Sequence, residues 1–211
     1  MCHAGYVELI RRASSLPTRL GVFPGTFNPL TVAHVALARA ALARVDEVLF
    51  TLPRNLPHKE YTGASFTQRL DMLRAALGAE QSFSIGVSEL GLFCQIAREC
   101  RKTYSESVRL SFLCGRDAAE RIANWDYGRP GAFREMLADF NLLVASRDGE
   151  YSPPPEIAPA VVPLTLPCAL DDISATEVRA RIRRGDPWEH LVPESIHDQV
   201  WRIYRSQESS V

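Results

Sequence analysis

The sequence predicts an α/β domain in which a doubly wound parallel sheet is covered by helices on both faces. Three observations point there. Short apolar runs bounded by turn residues alternate with segments of helical spacing along most of the 211 residues. The run Arg19-Leu20-Gly21-Val22-Phe23 passes through Pro24-Gly25-Thr26-Phe27-Asn28-Pro29 into a helix start, a strand–turn–helix sequence that brings backbone close to a ligand. At 46% hydrophobic, the chain can bury a full core.

The elements follow in order. Residues 4–14 place Tyr6, Ile10 and Ala13 at helical spacing and predict a short docked helix, ended by Ser14, Ser15 and Pro17. Residues 32–44 are Ala-rich, with Arg39 and Arg44 near the end where positive charge suits a helix dipole. Residues 45–52, with Val48, Leu49 and Phe50, make a buried strand that completes a βαβ unit before Pro53 opens a polar loop. Phe66, Leu70 and Leu73 mark a helix over 65–77, and the alternation of Phe83, Ile85 and Val87 marks a strand over 82–90.

A helix over 92–103 and a strand over 108–114 come next, the strand closed by Gly115-Arg116-Asp117. A further helical stretch precedes the strand over 141–146, and Arg147-Asp148-Gly149 then turns the chain into a Pro-rich loop. Residues 161–166 form a last strand, whose Pro163 predicts an edge position. Ser174 precedes Glu177 at capping-box spacing and opens a helix with a basic outer face, which Gly185 stops. Ile196, Val200, Trp201 and Tyr204 mark a final amphipathic helix over 194–205. The predicted organisation is a helical extension over 1–18, one domain over 19–205 and a tail over 206–211.

Composition narrows the function classes. Lys+Arg 24 against Asp+Glu 25 leaves a net charge of -1, so no global basic field favours nucleic acid or an anionic membrane. The five cysteines, Cys2, Cys94, Cys100, Cys114 and Cys168, form no CxxC pair, which predicts a reduced, cytoplasmic setting. Glu8, Arg11 and Arg12 interrupt any signal-peptide core, and no run reaches the ~18 apolar residues of a membrane span. His3, His58, His190 and His197 show no metal-ligand spacing, so no protein-held metal is expected.

Two stretches carry chemistry. In the first, Gly25 removes a side chain where phosphate must approach, and the helix after Pro29 offers unpaired N–H groups. Thr31 and His34, three apart, share a face on which a hydroxyl and an imidazole can donate to one phosphate. In the second, Ile173-Ser174-Ala175-Thr176-Glu177-Val178-Arg179, the hydroxyls and cap N–H groups can hold a polyphosphate tail. Arg179, one turn on, can place a permanent positive charge against the oxygens of that tail.

Both stretches resemble signatures of the nucleotidyltransferase superfamily. The first is similar to GxFxPxHxGH, with Thr31 for the first His and Ala33 for the Gly, and the second to ISSTxxR. Thr at the first position also occurs in the phosphopantetheine adenylyltransferase pattern PGTFDPxTxGH. Residues 183–185 and 191–194, together with residues 52–59, Arg69-Leu70-Asp71-Met72-Leu73, Gly115-Arg116-Asp117, Trp125 and Ser146-Arg147, look most like the nicotinate-nucleotide adenylyltransferases. The resemblance spans about residues 19–205 and implies a Rossmann-like doubly wound sheet of the nucleotidyltransferase type, with C-terminal helices.

The activity it implies joins ATP to nicotinate mononucleotide, giving deamido-NAD and pyrophosphate. By position, His34, Thr31 and Arg179 would be catalytic. Gly25, Thr26, Phe27, Asn28, Gly115, Asp117, Arg147, Ile173, Ser174 and Thr176 would bind the nucleotide, with Asp117 on a ribose hydroxyl and Arg147 near the adenine. Lys59 and Trp125 would meet the acceptor, Trp125 by stacking on its pyridine ring. Mg²⁺ would be bound mainly through the ATP phosphates. The partners implied are ATP and a phosphate-bearing small-molecule acceptor, with no nucleic acid and no membrane, and a homo-oligomer as an allowed assembly.

One segment departs from that pattern. The family usually carries Ser/Thr, Tyr and Thr where this chain has Gly91-Leu92-Phe93-Cys94-Gln95-Ile96-Ala97, and those polar groups help to bind the pyridine carboxylate. Nicotinamide mononucleotide or phosphopantetheine therefore stay as alternative acceptors, and a non-catalytic nucleotide sensor stays as a reading of another class.

Overall fold

The computed structural model describes residues 5–14, 16–55, 63–125, 127–129, 131–145, 151–166, 170 and 172–206. Its centre is a seven-stranded sheet: β1 (Glu8–Arg11), β2 (Arg19–Pro24), β3 (Glu47–Asn55), β4 (Phe83–Leu90), β5 (Arg109–Gly115), β6 (Phe140–Ala145) and β7 (Val161–Leu164). The spatial order is β1-β4-β3-β2-β5-β6-β7, parallel throughout except for β1, which runs antiparallel to β4.

From β2 the chain builds outward through β3 and β4, then returns to the other side of β2 for β5, β6 and β7. Strand order reverses between β2 and β5. In such sheets the crevice beyond the carboxyl ends of the two strands at the reversal is where a ligand fits. Gly25 directly follows β2, and Gly115 ends β5.

The helices are α1 (Val32–Ala41), α2 (Phe66–Leu77), α3 (Phe93–Thr103), α4 (Arg116–Ala123), α5 (Ala132–Met136), α6 (Ala175–Arg184) and α7 (His197–Arg205). Two apolar cores follow from the alternation of strand side chains. Leu30, Val48, Phe50, Phe83 and Ile85 pack with α1, α2, α6 and α7 on one face of the sheet. Val22, Leu49, Leu110, Phe112 and Leu142 pack with α3, α4 and α5 on the other. Ser65 caps α2 through a reciprocal box with Gln68, and Gly185, at φ 72°, ends α6 in the left-handed conformation expected of a helix-stopping glycine. Among the described residues no helix is long and apolar enough to cross a membrane.

The helical extension expected over residues 1–18 is corrected by the structure: its described part forms β1 and the links around it. Val7, Leu9, Arg11 and Ala13 also repeat at period two, and pairing with β4 satisfies an edge whose backbone groups would otherwise face water. Arg11 donates to the carbonyls of Leu77 (2.8 Å), Glu80 (2.6 Å) and Phe83 (2.9 Å), while the Ala13 N–H donates to Ser84 Oγ (2.7 Å). Gly86 makes room, since a Cβ there would meet Val7 at 2.5 Å. Long-range pairing overrides the local helical spacing.

Other boundaries differ less. β3 runs on to Asn55, carrying Pro53 within the ladder opposite Ser88. α5 is an additional one-turn helix that the sequence pattern does not predict, being only five residues long. β7, with Pro163, lies at the free edge of the sheet. At the amino ends of the strands, away from the crevice, buried Glu47 accepts from Ser84 Oγ (2.6 Å) and from the Tyr104 hydroxyl (2.5 Å), which ties β3, β4 and the end of α3 together.

Candidate active site

The turn after β2 has an unusual backbone. Phe27 has φ 45°, a left-handed conformation that costs a non-glycine residue about 1–2 kcal/mol, and the Asn28–Pro29 peptide is cis. Burial of the Phe27 ring outweighs that cost. It is 2% exposed and packs 5.5 Å from Phe23 and 5.6 Å from Phe50, a burial that contributes about 1.5–3 kcal/mol. The folded-under ring also explains Gly25, because a Cβ there would meet Phe27 at 2.7 Å. Space for an aromatic ring requires glycine at this position.

The turn is held from three directions. Asn28 Oδ1 accepts from the Ala64 N–H (3.1 Å) and from the hydroxyl of Tyr204 on α7 (2.5 Å). The Thr26 carbonyl accepts from Arg69 on α2 (3.1 Å), a guanidinium only 4% exposed. The Asn28 carbonyl accepts from Arg179 on α6 (2.5 Å). Buried hydrogen bonds to charged donors are among the stronger ones, so the turn is fixed before any ligand arrives.

His34 and Thr31 form a reciprocal cap at the start of α1. The Thr31 N–H donates to His34 Nδ1 (3.0 Å), and Thr31 Oγ lies 2.7 Å from the same nitrogen while accepting from the His34 N–H (3.3 Å). Since Nδ1 accepts, the hydrogen of the neutral ring is on Nε2. Phe27 meets the ring edge-on at 5.5 Å, which restricts it further. Thr31 is fully buried. The expected hydroxyl donation from Thr31 to phosphate therefore does not fit the geometry: Thr31 orients the histidine from behind it.

The second stretch starts α6. Ser174 Oγ accepts from the Glu177 N–H (3.1 Å), the cap that the sequence predicts, but Glu177 does not close a reciprocal box. Its carboxylate instead pairs with Arg181 (2.8 Å) and Arg184 (3.5 Å), and these cations hold it below the usual carboxylate range. Besides Asn28, Arg179 donates to the Ala175 carbonyl (3.1 Å) and to Thr176 Oγ (3.3 Å). One guanidinium thus joins the two motifs, 151 residues apart in the chain.

A cavity of about 390 Å³ opens beside the turn, and Asn28, Ser174, Thr176 and Arg179 are not among the residues that line it. Gly25, Thr26, Phe27 and His34 line it from the turn and α1, Gly115 from the end of β5, and Ala175 from the start of α6. Ala33 also lines it, adding a methyl to the wall. Cys114 is the one thiol among these lining residues. Burial pushes it up to about 12, so it stays protonated and offers no thiolate nucleophile. Among the remaining expected residues, Ile173 is buried, Thr176 is exposed, and Asp117 is exposed in the first turn of α4. Lys59 and Arg147 lie outside the described residues.

A second cavity, of about 410 Å³, adjoins the first and shares Gly91, Phe93, Arg121 and Ile122 with it. Its walls are aromatic. Phe93 stacks on Phe112 at 4.4 Å, Tyr127 stacks on Phe133 at 5.5 Å, and Trp125, 55% exposed, borders it. The apolar residues over 91–97 are thus partly wall and partly the start of α3, whose cap residue Leu92 supplies no side-chain hydrogen bond.

Sequence reasoning missed the supporting residues. Arg69 falls on the apolar face of α2 with Leu70 and Leu73, and a cation at a core position is the signal that could have found it. Tyr204 was indistinguishable from an ordinary core residue of α7, because only the fold brings its hydroxyl to Asn28.

Comparison with known proteins adds independent findings. Residues 22–181 match the cytidylyltransferase-like family. The chain is similar to relatives named probable nicotinate-nucleotide adenylyltransferase, one from Chromobacterium violaceum at 30% identity, covering 89% of this chain and 99% of the relative. Another, from Thermus thermophilus, is 31% identical, with 89% of this chain and all of the relative covered. The solved structure of Plasmodium falciparum nicotinic acid mononucleotide adenylyltransferase complexed with NaAD shares the fold at TM-score 0.67 and 17% identity, covering 87% of this chain and 95% of the other.

Proposed function

The chain belongs to the cytidylyltransferase-like family and, within it, to the nicotinate-nucleotide adenylyltransferases, and from that premise we propose how its residues carry out the transfer. The enzyme is a nucleotidyltransferase: it moves the adenylyl group of ATP to nicotinate mononucleotide, releasing pyrophosphate. The observation that supports the assignment of roles is the Arg179 hydrogen bond to the Asn28 carbonyl (2.5 Å), which ties the second motif to the turn of the first.

A phosphate oxygen of the acceptor attacks the α-phosphorus of ATP. A new P–O–P linkage forms as the bond from the α-phosphorus to the bridging oxygen of the β-phosphate breaks, and pyrophosphate leaves with the electron pair. His34 Nε2–H donates to an α-phosphate oxygen, beside the unpaired N–H groups of the α1 start. Arg179, with the α6 start and Thr176, stabilises the charge gathering on pyrophosphate, and Ser174 holds that helix start in shape. No enzyme nucleophile takes part. The protein supplies position and fixed charge.

Gly115, which lines the crevice, and Asp117 in the first turn of α4 would meet the nucleoside, and Trp125, which lines the second cavity, would meet the acceptor. Magnesium would enter with the substrate, bound mainly through the ATP phosphates and water. Cys94, Cys100 and Cys114 are free thiols, which supports a cytoplasmic place of action.

An acceptor panel tests this reading. The enzyme is mixed with ATP, Mg²⁺ and, in turn, nicotinate mononucleotide, nicotinamide mononucleotide or phosphopantetheine, and pyrophosphate release is measured. Fastest release with nicotinate mononucleotide is expected. Faster release with another acceptor overturns the substrate assignment, and ATP binding without release under any condition overturns the enzymatic one.

A further inference from the structure

Nothing in the segment over 91–97 supplies a side-chain hydroxyl to an acidic ring, yet the cavity it borders is built for a flat one. Phe93 forms one part of its wall, the Tyr127–Phe133 stack another, and Trp125 stands at its edge. A carboxylate taken into such a place is strongly disfavoured unless a cation or donors meet it. The Tyr127 hydroxyl is already committed as a donor to the Ile122 carbonyl (3.0 Å).

One charged side chain remains among the residues lining that cavity, Arg121 in the last turn of α4. It also lines the nucleotide cavity, so it stands where a ring in one cavity joins a phosphate in the other. The neighbouring cation of α4, Arg116, is engaged with Glu120 (2.8 Å), whereas no hydrogen bond or ion pair occupies Arg121 among the described residues.

We propose that Arg121 is a specificity-determining residue that pairs with the ring carboxylate of the acceptor, taking over in this chain the recognition for which the 91–97 segment has no side-chain hydroxyl. The proposal rests on the adenylyl-transfer reading above. A guanidinium distinguishes a carboxylate, which accepts two parallel hydrogen bonds and carries charge, from a carboxamide, which is neutral and presents its own N–H donors. Arg121 is exposed on its outer side, so replacing it leaves the core intact.

The test measures kcat and KM of the wild-type enzyme, Arg121→Gln and Arg121→Lys with nicotinate mononucleotide and with nicotinamide mononucleotide. For Arg121→Gln, KM for the nicotinate compound is expected to rise about 10-fold to 100-fold, the scale of a lost charge-assisted hydrogen bond. kcat/KM for the nicotinamide compound and KM for ATP should stay within about 2-fold, and Arg121→Lys should recover part of the loss. Unchanged KM for the nicotinate compound, or an equal fall with both acceptors, overturns the role of Arg121. Absence of wild-type turnover with either acceptor would instead overturn the reaction on which the proposal stands.

Discussion

His34→Ala is expected to lower kcat by about 10² or more with little change in KM for ATP, the pattern left when a donor acting chiefly in the transition state is removed. The geometry argues for a large effect. The ring is fixed by the Thr31 N–H on Nδ1 (3.0 Å) and by the edge of Phe27 (5.5 Å), so Nε2–H is aimed before the substrate binds. A preorganised donor costs no reorganisation during the reaction. The substitution also removes half of the α1 capping box, so thermal unfolding should be followed in parallel; a cap loss of about 1 kcal/mol leaves the protein folded. A kcat within a few-fold of wild type in a folded His34→Ala protein would remove His34 from the transition state.

Arg179→Ala is expected to cost a similar factor, about 10² or more in kcat, for two reasons that add. The charge facing pyrophosphate disappears, and the Asn28 carbonyl loses its donor at 2.5 Å, which loosens the turn carrying the α-phosphate site. Arg179→Lys should recover little. One ammonium cannot reach the Asn28 carbonyl, the Ala175 carbonyl and Thr176 Oγ together while still facing the substrate. Steady-state kinetics check both variants, and full recovery in Arg179→Lys would mean that only a point charge is needed there.

Much of this architecture was legible in the sequence because its signals are local. Apolar runs bounded by glycine and proline gave β2 to β6, and the caps Ser174 and Gly185 marked where α6 begins and ends. The turn at Gly25 and the start of α6 at Ser174 could be singled out as candidate phosphate sites for the same reason, since helix starts and glycine turns are encoded within a few residues.

What the sequence hid depends on contacts far along the chain. Helical spacing in residues 4–14 competed with a period-two pattern, and only the open edge of β4 decides for a strand. Thr31 read as a phosphate donor, because its burial behind His34 follows from the packing of α1. Gly25 read as room for a ligand, while the ring of Phe27 beneath it is a consequence of a left-handed backbone that no motif announces. Tyr204 and Arg69 reach the turn from helices that follow it by 176 and 43 residues, and Arg121 matters only because two cavities meet beside it.

The central claim is that the adenylyl group passes in one in-line step from a pyrophosphate clamp at Arg179 to an acceptor held opposite it, with His34 on the phosphate between them. It is tested most directly by the stereochemistry at the α-phosphorus, using ATP made chiral there by a single sulfur substitution and nicotinate mononucleotide as acceptor. A dinucleotide product with inverted configuration is the predicted result. Retained configuration would require two displacements through an adenylylated enzyme and would contradict the account.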